Sequence, residues 1–270
     1  MKYDLDGDVY VSPRHLAGTT GIGDPALTPL TDAGFHLTHD ELGNAYCSSP
    51  DHRVRLGFLP EGADDGLWRI TAAAEPFDVP AWAVSFNDAC PTEFVTAFTT
   101  ALAQAYTDGP HAYLAPCHLD MSPPIRPLLE QQWSYGSDDV TLVSLHSPDR
   151  LASLQYKRWP SNRTAELTTL DTRWLLQGGP TGSRWYASAS SATPVELVTA
   201  ITTSVADPVP LLRWKEFLAR PLKAVAQLTP VQPTPTPLDI ARSTRGATPP
   251  SITRWSTATP PRQPSTAPRR

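Results

Sequence analysis

Residues 29–51 of this 270-residue chain return, without a gap, at 127–149. Pro29-Leu30 through Ser49-Pro50-Asp51 aligns on Pro127-Leu128 through Ser147-Pro148-Asp149 at a constant offset of 98. Trp82-Ala83-Val84-Ser85 then matches Trp185-Tyr186-Ala187-Ser188, and Pro91 to Thr100 matches Pro194 to Thr203, both at an offset of 103. The second copy has therefore gained five residues between the blocks, a growth that fits a lengthened hairpin loop. Self-similarity over such a span means two similar folded units rather than one irregular domain. The aligned units run from 29 to 109 and from 127 to 207. They divide the chain into an N-terminal extension 1–28, a first unit 29–115, a second unit 116–220 and a tail 221–270.

Each unit reads as strands followed by a helix. Val54, Leu56 and Phe58 alternate with Arg53, Arg55 and Gly57, the period of a strand with one face buried, and Ala152, Leu154 and Tyr156 repeat the buried set. Leu67 to Ala73 and Ala81 to Phe86 supply two more strands, answered by Leu167 to Gln177 and Arg184 to Ser190. Gly178-Gly179-Pro180-Thr181-Gly182 suits a hairpin loop, so the strands are expected to be antiparallel. Phe94, Ala97, Phe98, Ala101, Leu102 and Ala105 recur at helical steps, and Leu197, Ala200, Ile201 and Val205 repeat them. Thr193-Pro194-Val195-Glu196 has the form of a capping box, with Cys90 at the weaker cap of the first copy and a Thr-rich, solvated outer side on both helices. Short helices are expected at Pro29 to Ala33 and Pro123 to Gln132, and a strand near Val9 to Val11. The fold class is α+β: two tandem repeats, each an antiparallel β-sheet followed by an amphipathic helix, with a modest core split in two.

Beyond Arg220 the chain changes character. Pro233-Thr234-Pro235-Thr236-Pro237 and two copies of Ala-Thr-Pro-Pro show no apolar period, so this segment is expected to be disordered. It holds seven basic residues against Asp239, a net of +6, which leaves −11 on the first 220 residues out of −5 in all. An acidic body argues against gripping duplex nucleic acid through the folded surface, whereas the tail could dock on nucleic acid, acidic partners or a proline-recognising domain. There is no run of about 18 apolar residues and the N-terminus is acidic, so neither a membrane span nor a signal peptide is expected and the cytoplasm is the expected compartment. Cys47, Cys90 and Cys117 are three cysteines without CxxC spacing, as suits reduced thiols.

At Ser49-Pro50-Asp51 and Ser147-Pro148-Asp149, each followed by alternating apolar residues and later by a Trp strand and a Pro-x-Glu helix, the chain resembles the SPDY-type domain of unknown function. That family is found mainly in streptomycetes and related actinobacteria, commonly in two copies per chain. The resemblance covers roughly residues 9 to 220, including Pro210-Leu211-Leu212-Arg213-Trp214-Lys215-Glu216. Both copies depart from the name at its last letter, with His52 and Arg150 in place of Tyr. The resemblance implies kinship and brings no activity with it.

Few residues invite a chemical role. The two Ser-Pro-Asp motifs lie between strands, where proline fixes one angle and Ser or Asp can bond nearby amides, so they read as structural turns that set register. His36-x-x-His39-Asp40-Glu41 is the densest group of metal-capable side chains, but it lacks further ligands at a zinc spacing, and the second copy has Ser134 and Ser137 there. Cys117-His118-x-Asp120 is triad-like only on paper, since chain neighbours rarely point a base at a nucleophile. Thr19-Thr20-Gly21-Ile22-Gly23-Asp24 lacks the lysine of a phosphate loop. Trp68, Trp133 and Trp174 read as core, while Trp82 and Trp185 are candidate recognition aromatics if they project from an open sheet face. No catalytic, metal or cofactor residue is assigned. The leading expectation is a non-catalytic interaction module for protein or another macromolecule. The alternatives are a single-stranded nucleic-acid binder using sheet aromatics and the basic tail, and an enzyme with a site between the repeats.

Overall fold

The computed structural model describes residues 7–60, 68–114, 120–136, 139–168 and 172–231. The first copy runs α1 (Asp24–Asp32), β2 (His36–His39), β3 (Ala45–Ser48), β4 (Val54–Phe58), β5 (Trp68–Ala72), β6 (Trp82–Phe86) and α2 (Thr92–Asp108), after a leading strand β1 (Asp8–Ser12). A short α3 (Pro110–Tyr113) precedes the second copy: α4 (Ser122–Glu130), β7 (Ser134–Tyr135), β8 (Leu142–His146), β9 (Ala152–Lys157), α5 (Arg163–Thr168), β10 (Trp174–Gly178), β11 (Trp185–Ala189) and α6 (Val195–Ala206). The chain then adds β12 (Leu211–Trp214), α7 (Arg220–Val225) and β13 (Gln227–Pro230).

The two copies do not form separate sheets. Their strands join in one antiparallel ten-stranded sheet of order β2-β3-β4-β5-β6-β11-β10-β9-β8-β7. At the seam Val84 faces Ala189, Ser85 faces Ser188 and Phe86 faces Ala187. Strand alternation then sends Val54, Leu56, Trp68, Ile70, Trp82, Val84 and Phe86 of the first copy to the same side as Leu154, Trp174, Leu176, Trp185 and Ala187 of the second. The helices α1, α2, α6 and α4 pack side by side over that face, each touching the next. The main core is consequently one continuous cluster drawn from both copies, which corrects the expectation of a core split in two. Pairing two half-sheets edge to edge removes the boundary that would have divided it.

A second, smaller cluster of Val9, Val11, Ala17, Leu211 and Leu218 lies under the three-stranded sheet β12-β1-β13. Because β13 pairs with β1 through Gln227 to Pro230, the folded part reaches Val231. The boundary expected after Arg220 therefore moves about one strand and one helix downstream, and the proline-rich segment that follows lies outside the described residues.

Three local expectations are also revised. Leu167 belongs to α5 rather than to a strand, and β10 begins only at Trp174. The capping box is not formed: Pro91 and Pro194 occupy the N-cap positions without a side-chain cap bond, and buried Thr193 meets Ser190 Oγ at 3.3 Å instead. Nor is the Thr-rich side of the helices wholly solvated, since Thr99 and Thr202 are buried and bond back to the carbonyls of Thr96 and Thr199. The five-residue gain likewise has two parts. Trp68 and Trp174 hold equivalent registers, opposite Phe86 and Ala189. Against the early offset, eight residues enter between β9 and β10, where α5 sits, and three are lost between β10 and β11.

Candidate functional site

The helices leave the other face of the sheet to be described. The ten strands contain no Asp or Glu, and their only Arg or Lys residues are Arg55, Arg69 and Lys157, all on the uncovered face. The four long helices carry six carboxylates and one arginine. A helix-side groove of about 650 Å³ is lined by Glu130, Glu196 and Asp207, the last already bridged by Arg14 at 2.6 Å. The long helices are thus net acidic and the strand residues of the open face net basic, while most carboxylates of the body lie in the connecting segments.

The midline of that face is closed. Arg69 donates to the Leu167 carbonyl and Arg163 to that of Pro80, which ties α5 of the second copy across strands of the first. The buried Glu166 carboxylate receives Ser191 N–H at 2.8 Å and Ser191 Oγ–H at 2.5 Å. The seam residues Ala83, Ser85 and Ser188 are buried. A carboxylate-lined cavity between the repeats, the feature an inter-repeat enzyme would need, is therefore not what the seam presents.

Away from the midline the sheet has two exposed aromatics at its margins. In the first copy Phe77 is 80% exposed, and in the second Trp159 is 71% exposed. Trp159, by contrast, borders a groove of about 880 Å³ on the helix side, between α4 and β8–β9, lined by Met121, Arg126, Tyr135, Arg158 and the carboxylates Asp120 and Asp139. In the first copy Gly23 stands at Met121's place and lets the start of α1 lie against Phe58 and Trp68, where a Cβ would come within 3.2–3.3 Å of both rings. The polar recess nearer the β10–β11 hairpin holds His146, Arg150, Gln155, Gln177 and Arg184.

Trp82 and Trp185 are not on this face, which corrects their candidacy as recognition aromatics. They are 0% and 1% exposed, under the helices, and each gives its indole N–H to a carbonyl: Trp82 to Tyr113 at 2.7 Å, Trp185 to His15 at 2.8 Å. The alternation held the signal, because Ala83 and Ser85, between Trp82 and Phe86, are the small pair that the other side accepts. Trp68, Trp133 and Trp174 are buried as well.

The two Ser-Pro-Asp turns are near copies of each other. Ser49 Oγ donates to Asp51 Oδ1 at 2.6 Å and receives Val54 N–H at 3.0 Å, while Ser147 Oγ donates to Asp149 Oδ1 at 2.6 Å and receives Ala152 N–H at 2.9 Å. The N–H groups of Arg53 and Leu151 reach the same carboxylates. Pro50 and Pro148 sit between, and the fourth residues, His52 and Arg150, take left-handed φ angles of 58° and 62°. The two copies differ in what meets the free carboxylate oxygen. Asp149 is met by His15 Nε2 at 2.8 Å, and Asp51 by the Tyr106 hydroxyl. Burial would raise the Asp149 carboxyl, but the bonds from His15, Ser147 and the Leu151 amide outweigh it and hold the group well below the usual range. His15 and Tyr113 hold equivalent stations, each next to a turn aspartate and each giving its carbonyl to a strand-leading tryptophan.

The remaining candidates are local. His36 and His39 lie exposed on β2, and Asp40 closes the next turn by accepting from the amides of Leu42 and Asn44 and the side chain of Asn44. No group of three metal-capable side chains occurs among the described residues. Cys117 and His118 lie outside them. Cys47 and Cys90 are buried free thiols, and burial pushes Cys47 up to about 11 and Cys90 higher than an ordinary thiol. In the Thr19–Asp24 loop, Thr20 Oγ1 and the Ile22 carbonyl both bond Thr92 at the start of α2.

A duplicated α+β protein with one shared sheet, helices on one face and an open basic face on the other is what these elements define. The family comparison agrees with the duplication: the chain carries two copies of the SPDY domain, a domain of unknown function (DUF317), at residues 48–107 and 146–211. Each match begins one residue before its Ser-Pro-Asp turn. No curated protein and no solved structure matches the chain. No described helix is long and apolar enough to cross a membrane.

Proposed function

We propose that the chain is a non-catalytic binding module whose working surface is the uncovered face of the ten-stranded sheet, with single-stranded nucleic acid as partner. The observation that carries this reading is the charge of the strands: no carboxylate on any strand of the sheet, with Arg55, Arg69 and Lys157 on the open face, against the net acidic long helices behind it. A single strand is favoured over a duplex because the open face offers an exposed aromatic ring, Phe77, on which a base can stack. The Ser-Pro-Asp turns belong in this reading to the scaffold. Residues 232–270, with six arginines against one aspartate, would add a second basic contact.

The test is fluorescence anisotropy of labelled single-stranded DNA and RNA of roughly 20 nucleotides with the full chain and with a chain ending at Val231, across a salt series. Binding by both chains is expected, with log affinity falling against log salt by about 0.7 for each phosphate engaged. Arg55→Gln and Lys157→Gln should each weaken it. Binding that is absent at low salt, or lost entirely with residues 232–270, would overturn the assignment to the sheet face. A protein partner is the second reading, favoured by the Trp159 and Tyr135 groove; a pull-down that depends on Trp159 while oligonucleotides stay unbound would favour it.

A further inference from the structure

The two copies diverge where the connection between their last two strands meets the open face. In the first copy residues 73–81 answer the basic groups beside them. The Arg55 guanidinium lies 4.7 Å from the centre of the Phe77 ring, and the His52 ring stacks on the same ring at 6.1 Å. Both carboxylate oxygens of Glu75 accept from Arg53 Nη2, at 3.1 and 3.2 Å. In the second copy the connection shrinks to Gly179-Pro180-Thr181-Gly182-Ser183-Arg184, which offers neither an aromatic ring nor a carboxylate.

The shortening leaves a recess of about 420 Å³ over β9 and β10, lined by His146, Arg150, Ser153, Gln155, Gln177 and Arg184 and by no Asp or Glu. Among the described residues neither Arg150 nor Arg184 has a carboxylate within ion-pair distance. Arg150 is fixed at its backbone, since the Ser147-Asp149 bonds and its own N–H to the Ser147 carbonyl at 2.9 Å define the turn that projects it. The hairpin is pinned by Gly179 N–H to the Leu151 carbonyl at 2.9 Å. Gln177 Nε2–H donates to Ser153 Oγ at 3.1 Å, so the Ser153 hydroxyl hydrogen is left to donate elsewhere. Two arginines, a hydroxyl and amide donors line a space bordered by no carboxylate. Such a set matches the tetrahedral oxygens of a phosphate group.

From this contrast we infer that the second copy, and not the first, holds a phosphate seat at Arg150 and Arg184, occupied by a backbone phosphate of the strand bound to the open face. The occupant rests on the reading given above; the seat itself rests on the recess. A small free phosphate ester shares the chemistry and is the other source.

The experiment uses the full chain with inorganic pyrophosphate as one probe and the single-stranded oligonucleotide as the other, followed by arginine side-chain Nε–H resonances and by anisotropy. The variants are Arg150→Asn, which keeps the left-handed turn accessible, combined with Arg184→Gln, and separately Arg55→Gln in the first copy. Pyrophosphate is expected to shift the Arg150 and Arg184 signals and leave those of Arg53 and Arg55 in place. The double variant should abolish that response, weaken oligonucleotide binding about tenfold, and lower its salt slope by about 0.7. Arg55→Gln should weaken the oligonucleotide alone. If pyrophosphate shifts the two arginines but no oligonucleotide binds, the seat stands, its source is a small phosphate ester, and the nucleic-acid reading falls. If the oligonucleotide binds with affinity and slope unchanged in the double variant, the seat is refuted while the nucleic-acid reading survives. If pyrophosphate moves neither signal, or moves those of the first copy equally, the inference is overturned.

Discussion

Glu93→Gln tests how the three-stranded sheet is fastened to the rest of the fold. Arg213 on β12 is buried and uses its whole fork: Nη1 and Nη2 meet the Glu93 carboxylate at 2.7 and 2.6 Å, and the remaining N–H groups reach the carbonyls of Ala17, Gly18 and Leu212. Removing one partner of a buried pair costs about 3–5 kcal/mol, because the other charge is left without its counter-ion. Glu93 is one-third exposed, at 33%, so water can partly replace it and the cost falls to the bottom of that range or just below it, about 2–3 kcal/mol. In urea, with a slope of about 2–3 kcal/mol/M for a folded part of this size, the midpoint should fall by roughly 1 M at unchanged slope. Arg213→Met and the double variant complete a cycle, and the coupling between the two sites should exceed about 1 kcal/mol. A loss below about 0.5 kcal/mol, the value of an exposed pair, or additive single effects, would refute the clamp.

Other expectations follow from the same contacts. Asp149 has its carboxyl lowered in the folded state, so its contribution to stability is present above the unfolded value near 4 (about 3.9) and is lost as pH falls below it; urea midpoints for Asp149→Asn should show a flatter acid limb than those of the natural chain. Cys47 and Cys90 should resist iodoacetamide in the native protein near neutral pH and react once urea unfolds it, as peptide mapping of a Cys117→Ser chain would reveal; rapid native labelling of either would contradict their burial. Trp185→Phe orphans the His15 carbonyl and should destabilise by about 1–3 kcal/mol without changing oligonucleotide affinity, whereas a selective loss of binding would restore the ring as a contact.

Much of the architecture was legible because duplication makes the sequence its own reference. Two constant offsets located the repeats, and the alternation of Val54, Leu56 and Phe58 against arginines located strands that the structure contains. The fusion into one sheet was not legible, since the seam depends on Ser85 meeting Ser188 across about a hundred residues. Helix α5 was missed because six residues carry too little of a helical period to register, and β13 because its partners lie some 220 residues upstream, with a proline at its end. The recess could have been found. Aligning Trp68 on Trp174 divides the gain of five into a long insertion and a short deletion, and the deletion removes the residues that occupy this space in the first copy.

The seam register has a consequence for ancestry and division of labour. Under the offset of 103, Ser85 and Ser188 are the same position, and Val84 faces the counterpart of Phe86 while Phe86 faces the counterpart of Val84. That is the pairing an isologous homodimer would make about a two-fold axis passing between the two serines. The chain is in effect such a dimer with its subunits covalently joined. Once joined, the halves no longer had to stay identical: one carries a loop whose Glu75 pairs with Arg53 and whose Phe77 lies against Arg55, and the other a shorter loop with neither. A single-copy relative, having no such freedom, would be expected to pair with itself along β6 and to carry the same loop on both sides.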